Sequence, residues 1–160
     1  VLYFEHKFLY RRIKGEVPDD DYIIPIGKGD IKREGKDLTV IAYGSAVHWG
    51  LDAAEQIEKE DGVSVEVLDL RSVLPYDKEL IMESVKKTNR VIVAHEATLT
   101  GGVGGDISAF ITEHGFEYLD APVRRLAALD TPVPYSPPLE AHFLPNKEKM
   151  LSVMREVAAY

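Results

Sequence analysis

The stretch VIVAHEATLTGGVGGD, Val91 to Asp106, decides the fold. Val91 to Ala94 is a short apolar run that ends in the polar pair His95-Glu96. Such a run reads as a buried strand of a parallel sheet, covered on both faces. The loop Thr98 to Gly105 then turns the chain into an amphipathic helix expected over Asp106 to His114, with Gly115 as its C′ stop. Strand, glycine loop and helix form half of a βαβ unit. In open α/β sheets, ligands and partners gather at the carboxyl ends of the strands. His95, Glu96, Gly101 and Gly102 are therefore the first candidates for an interface or a functional loop.

Working outward, the same alternation recurs. Leu38 to Tyr43 and Val65 to Leu68 are apolar runs suited to central strands. Ile31 to Arg33 with Leu38 to Tyr43 reads as a hairpin. A helix follows Gly44, with Ser45 as candidate N-cap, Val47, Leu51, Ala54 and Ile57 on one face, and Gly62 as its end. Asp77 is the candidate N-cap of the next helix, whose last turn carries Lys86 and Lys87. Phe116 to Leu119 and Val123 to Ala127 are two further short apolar runs. The four prolines between Thr131 and Pro138 mark an irregular covering loop. Asn146 is the candidate N-cap of the last helix. Strands alternating with helices predict a three-layer αβα domain on a mostly parallel five-stranded sheet.

The 160 residues include no cysteine and carry a formal net charge of -8. The acidic balance argues against nucleic-acid binding and suits a basic partner surface. The cysteine-free composition fits a reducing compartment, and the reading is a cytoplasmic protein. No apolar stretch approaches the roughly 18 residues that span a membrane, and no signal peptide is legible. Val1 in place of a starting Met is read as the mark of a piece of a longer chain, and Val1 to Phe4 as a strand cut from a neighbouring sheet.

No complete active site is legible. The glycine loop does not match G-x-G-x-x-G and lacks G-K-S/T, so a tight turn with close helix–strand approach is preferred to a phosphate cradle. Adjacent strand residues point to opposite faces, which speaks against His95 and Glu96 acting together on one atom. The five histidines show no metal-ligand spacing, and Asp19-Asp20-Asp21 lacks the pattern of a calcium loop. Tyr43 and Trp49 read as core or interface aromatics, and Arg124-Arg125 beside Asp120 as an ion-pair patch. A domain that completes or organises a larger assembly fits this picture.

FEHKFLYR (Phe4 to Arg11), EVP (Glu16 to Pro18), EGKDLTVIAYGSAVH (Glu34 to His48), VEVLDLRSVLPYD (Val65 to Asp77), SVKKTNRVIVAHEATLTGGVGGDI (Ser84 to Ile107) and LDAPVRRLAALDTPVPYSPPLEAHFLPN (Leu119 to Asn146) occur in order. Together they resemble the C-terminal part of the beta subunit of thiamine-diphosphate-dependent 2-oxo acid dehydrogenases. The resemblance implies a transketolase C-terminal-like domain over residues 15–160, and a linker or strand remnant of an upstream pyrimidine-binding domain over 1–14. It implies thiamine diphosphate and Mg²⁺ in the parent enzyme, with neither bound by this piece, which alone is expected to be inactive. The implied partners are an alpha subunit or alpha-like domain, a second beta chain and the lipoyl acyltransferase core. Carried over by residue, Asp120 in LDAP and the terminal carboxylate of Tyr160 are the docking positions. FEHKFLYR leans toward the branched-chain substrate rather than pyruvate. A stand-alone assembly module and a transketolase-type enzyme are the alternatives.

Overall fold

The computed structural model describes residues 4–160. Five strands and five α-helices follow one another: β1 (Asp30–Arg33), β2 (Leu38–Ala42), α1 (Ser45–Asp61), β3 (Val65–Asp69), α2 (Lys78–Thr88), β4 (Val91–Thr98), α3 (Val103–Gly115), β5 (Arg124–Ala128), α4 (Pro137–Phe143) and α5 (Lys147–Ala158). The sheet order is β1-β3-β2-β4-β5. β3, β2, β4 and β5 are parallel, and β1 closes one edge antiparallel to β3. The expected three-layer α/β architecture is therefore present.

Strand alternation sorts the core into two layers. Leu38, Val40, Ala42, Val65, Val67, Ile92 and Ala94 pack with α1 and α5. Ile41, Leu68, Val91 and Val93 pack on the other face with Ile81 and Val85 of α2 and Ile107 and Ile111 of α3. Every residue of β2 is buried. A strand sealed on both faces has no room for the usual polar alternation, which is why LTVIA is almost wholly apolar. Its one polar side chain, Thr39, is paired with the Thr88 hydroxyl at 2.8 Å.

Several local expectations need correction. Ile31–Arg33 and Leu38–Tyr43 do not form a hairpin: β3 and β4 take both edges of β2, and β1 pairs with β3 instead. The link between β1 and β2 crosses the start of β3, where a Cβ on Gly35 would stand 2.1 Å from the Glu66 nitrogen. Ser45 is the first helical residue rather than the N-cap; Gly44, at φ 59°, makes the turn from strand to helix. β4 runs on to Thr98, so His95 and Glu96 lie inside the strand, and α3 begins at Val103 rather than Asp106. Gly115 is not a left-handed stop; its φ is -142°, and the helix passes into the 3-10 turn Phe116–Tyr118, which takes up the short apolar run Phe116 to Leu119. A Cβ on Gly115 would stand 2.6 Å from the terminal methyl of Met82, a flexible side chain that can give way. The proline-rich stretch ends in α4, since Pro137 and Pro138 sit in the first turn, where no amide donor is required. Of the strand expected at Val1 to Phe4, residues 1–3 lie outside the described residues and Phe4 is in no strand.

Asp77 caps α2 as expected: its carboxylate accepts from the Leu80 amide at 3.2 Å. It also accepts from the Gly29 amide at 3.2 Å and the Lys28 ammonium at 3.4 Å, tying the segment before β1 to α2. Burial would push this carboxyl up, but those donors together hold it below its ordinary value of 3.8. The resulting stability is full above the unfolded-state value and is lost as pH falls through the lower folded-state value. Asp77→Ala is expected to cost about 2 kcal/mol at pH 7, with the gap to wild type closing in strong acid; urea unfolding of both proteins across pH measures it.

Candidate functional site

The sheet has one switch point. β2 leads into α1 on one face, and its neighbour β4 leads into α3 on the other. The crevice at the carboxyl ends of these two strands is where an open α/β sheet offers a site. Tyr43 and Ser45 line it from the β2 side, His95 and Glu96 from β4. Ala94 pairs with Leu126 and Thr98 with Ala128, so the ladder slips between them and β4 bulges at this pair. Bulges of this kind re-aim side chains at functional edges.

His95 is fully buried. Its Nδ1 lies 3.1 Å from the Ala97 carbonyl, which can only accept, so Nδ1 carries the proton. Nε2 then presents a lone pair and has no hydrogen-bond partner. The ring fills the space left by two glycines: a Cβ on Gly102 would stand 2.5 Å from Cε1, and one on Gly104 would stand 2.5 Å from Nε2. Tyr43 stacks near it, with centroids 6.2 Å apart and planes at 24°. Burial lowers the His95 pKa; the Ala97 carbonyl opposes this, and the Arg125 guanidinium adds to it. The positive end of α3 also favours the neutral ring. His95 is thus a neutral wedge between β4 and α3.

Glu96 goes the other way. Its Oε2 is 2.7 Å from His6 Nε2, which is also 3.1 Å from the Ser45 hydroxyl. Burial, and secondarily the Glu96 charge, pushes the Tyr43 phenol up. His95 and Glu96 do not converge on a common atom. Gly101, at φ 74°, makes the left-handed turn of the loop, and Thr100 fastens that turn to Asp130 through its amide (2.9 Å) and hydroxyl (2.7 Å). The His95 ring fills the space beside Gly102 and Gly104 in this loop. Among the described residues, no group of three or more His, Asp or Glu could hold a metal ion, and no helix is long and apolar enough to cross a membrane.

A second feature lies on the far side of α3. A groove of about 820 Å³ is lined by Ser108 and Thr112 of α3, then Phe116, Asp120, Arg125 and Tyr160, among others. Asp120 and Tyr160, 40 positions apart in sequence, therefore share one groove. The Asp120 side chain is 59% exposed, and among the described residues its one ion-pair partner is Arg90 at 3.9 Å. The expected pairing with Arg124-Arg125 does not occur: Arg124 pairs with Glu156 at 2.9 Å, and Arg125 donates to the Leu99 carbonyl at 3.1 Å.

Three participants escaped the sequence reading. His6 meets Glu96 across 90 positions, and Arg90 meets Asp120 across β4 and α3; neither spacing carries a signal. Gly104, the second half of the His95 seat, was visible only as one glycine among four.

These features define a doubly wound α/β domain with an occupied switch-point loop and an open, mainly apolar groove that carries Asp120 and Arg125. The transketolase C-terminal domain family matches residues 27–150, and the chain belongs to that family. It is 52% identical over its whole length to the 2-oxoisovalerate dehydrogenase subunit beta of Bacillus subtilis, of which it covers 49%. It is 48% identical over 98% of its length to the acetoin:2,6-dichlorophenolindophenol oxidoreductase subunit beta of the same organism, covering 45% of that chain. The chain spans about half the length of these curated relatives. Among solved structures, an inactive beta4 tetramer of a split-gene transketolase superposes with a TM-score of 0.76 at 27% identity, over 91% of this chain and 46% of that one.

If His95 is the wedge that the glycines accommodate, Gly104→Ala costs about 2–3 kcal/mol in the wild type but under about 1 kcal/mol in a His95→Ala background. Urea unfolding of the four proteins gives the coupling; additive losses contradict the arrangement.

Proposed function

We propose that this chain is the C-terminal part of the beta component of a thiamine-diphosphate-dependent 2-oxo acid dehydrogenase, and that it serves subunit assembly and docking. Residues 15–160 form the domain, and 1–14 join it to a pyrimidine-binding domain of the parent. The parent enzyme oxidatively decarboxylates a 2-oxo acid and passes the acyl group to a lipoyl arm. The 52% identity to a 2-oxoisovalerate dehydrogenase beta subunit and the FEHKFLYR segment favour the branched-chain substrate. The higher identity to dehydrogenase-type subunits than to the split-gene transketolase favours this reading over a transketolase. A cytoplasmic location goes with it.

Thiamine diphosphate supplies the carbanion chemistry of such enzymes. In this reading its diphosphate and Mg²⁺ would be held by an alpha subunit or alpha-like domain. The partners in this reading are that alpha chain, a second beta chain and the lipoyl acyltransferase core.

The observation that carries the docking role is the shared groove of Asp120 and Tyr160. Among the described residues Asp120 makes one ion pair, a long one with Arg90, and its side chain is 59% exposed, which leaves its carboxylate accessible to a basic docking segment. Phe116, 71% exposed, supplies an apolar surface beside it. Charge complementarity of this kind sets on-rate and register more than raw affinity. In the full parent, Asp120→Lys is expected to weaken docking of the acyltransferase component about 100-fold or more, the penalty of a repulsive charge pair, while leaving turnover with an artificial electron acceptor unchanged. Surface plasmon resonance and a dye-reduction assay read the two separately; equal docking affinities would overturn the assignment of Asp120.

A further inference from the structure

A second crevice opens beside Glu96, on the opposite face of the sheet from His95. It has a volume of about 480 Å³, within the range of ordinary binding pockets. Its walls are Trp49 of α1, Phe8, and Pro137, Leu144 and Pro145 around α4, and its polar groups include the carboxylates of Glu96 and Glu140. Two cations near it are engaged: the Arg12 guanidinium lies 3.8 Å over the Phe8 ring, and Lys149 is held by backbone carbonyls. Lys149 gives its ammonium to the carbonyls of Ala141 (3.3 Å), His142 (2.5 Å) and Leu144 (2.6 Å). Asn146, also on the wall, spends its side-chain oxygen on the Lys149 amide at 2.9 Å.

The crevice also shows what it accepts. His6, from the exposed segment before β1, places its imidazole against Glu96 at 2.7 Å, with the Phe8 ring edge-on to it at 6.1 Å. A nitrogen donor against a carboxylate, flanked by aromatic rings, is the arrangement that takes a cationic side chain with an apolar stem. Glu140 is the second carboxylate and makes no side-chain ion pair among the described residues.

We propose that this crevice is a docking site for a lysine or arginine side chain of a partner polypeptide, with the cationic head between Glu96 and Glu140 and the stem on Trp49 and Leu144. His6 is the internal occupant that such a side chain displaces or joins. The site lies apart from the Asp120 groove and does not depend on the dehydrogenase reading.

Trp49 is the only tryptophan of the chain, so its emission reports on this crevice directly. The whole chain is titrated with N-acetyl-arginine amide, and in parallel with N-acetyl-norleucine amide, which has an apolar stem and no charge. A saturable change in Trp49 emission is expected with the arginine derivative only. Glu140→Gln weakens it, Glu96→Gln/Glu140→Gln weakens it about tenfold or more, and His6→Ala strengthens it; thermal melts establish that each variant is folded. Equal responses to the two probes, no response to either, or an unchanged affinity in the folded double variant would each overturn the proposal.

Discussion

Two glycines that leave room for one imidazole join the two halves of this domain. β4 borders the switch point of the sheet, where connections from β2 and β4 run in opposite directions, and α3 must start close against it. His95 occupies that junction, fully buried, with its proton committed to the Ala97 carbonyl and its lone pair toward the first turn of α3. Larger residues at Gly102 or Gly104 would push the helix off the strand. A charged ring would place a cation at the positive end of a helix without a counter-charge, which burial and Arg125 both oppose. The seat of α3 determines where its far face lies, and that face lines the Asp120 groove.

The parts of this arrangement that were legible in the sequence are those with a local signature. The apolar runs at Leu38, Val65 and Val91 had no alternative to central strands, and Asp77 and Asn146 each sit where a side-chain oxygen meets an amide three residues on. What failed was non-local or depended on exact geometry. The partner of β1 depends on which strands hold the edges of β2, which no dipeptide records. The end of α3 differs from expectation because Gly115 is not left-handed and the chain runs on into the 3-10 turn Phe116–Tyr118. The contacts of Glu96 and Asp120 are made by residues that spacing does not point to, His6 and Arg90.

The surface divides into regions of different character. Apolar residues of the segment before β1, including Phe4, Val17, Ile23 and Ile26, are largely exposed. The Asp120 groove and the Trp49 crevice lie on different elements, and each combines apolar walls with an available carboxylate. A chain that covers about half of its curated relatives and carries such surfaces is suited to be held on several sides at once.

The most direct test is made on the full-length parent with its alpha partner, thiamine diphosphate, Mg²⁺ and an artificial electron acceptor, supplied in turn with 3-methyl-2-oxobutanoate, pyruvate and acetoin. The account predicts turnover that requires the cofactor and is fastest with 3-methyl-2-oxobutanoate. Folded, assembled protein that turns over neither 2-oxo acid would contradict it.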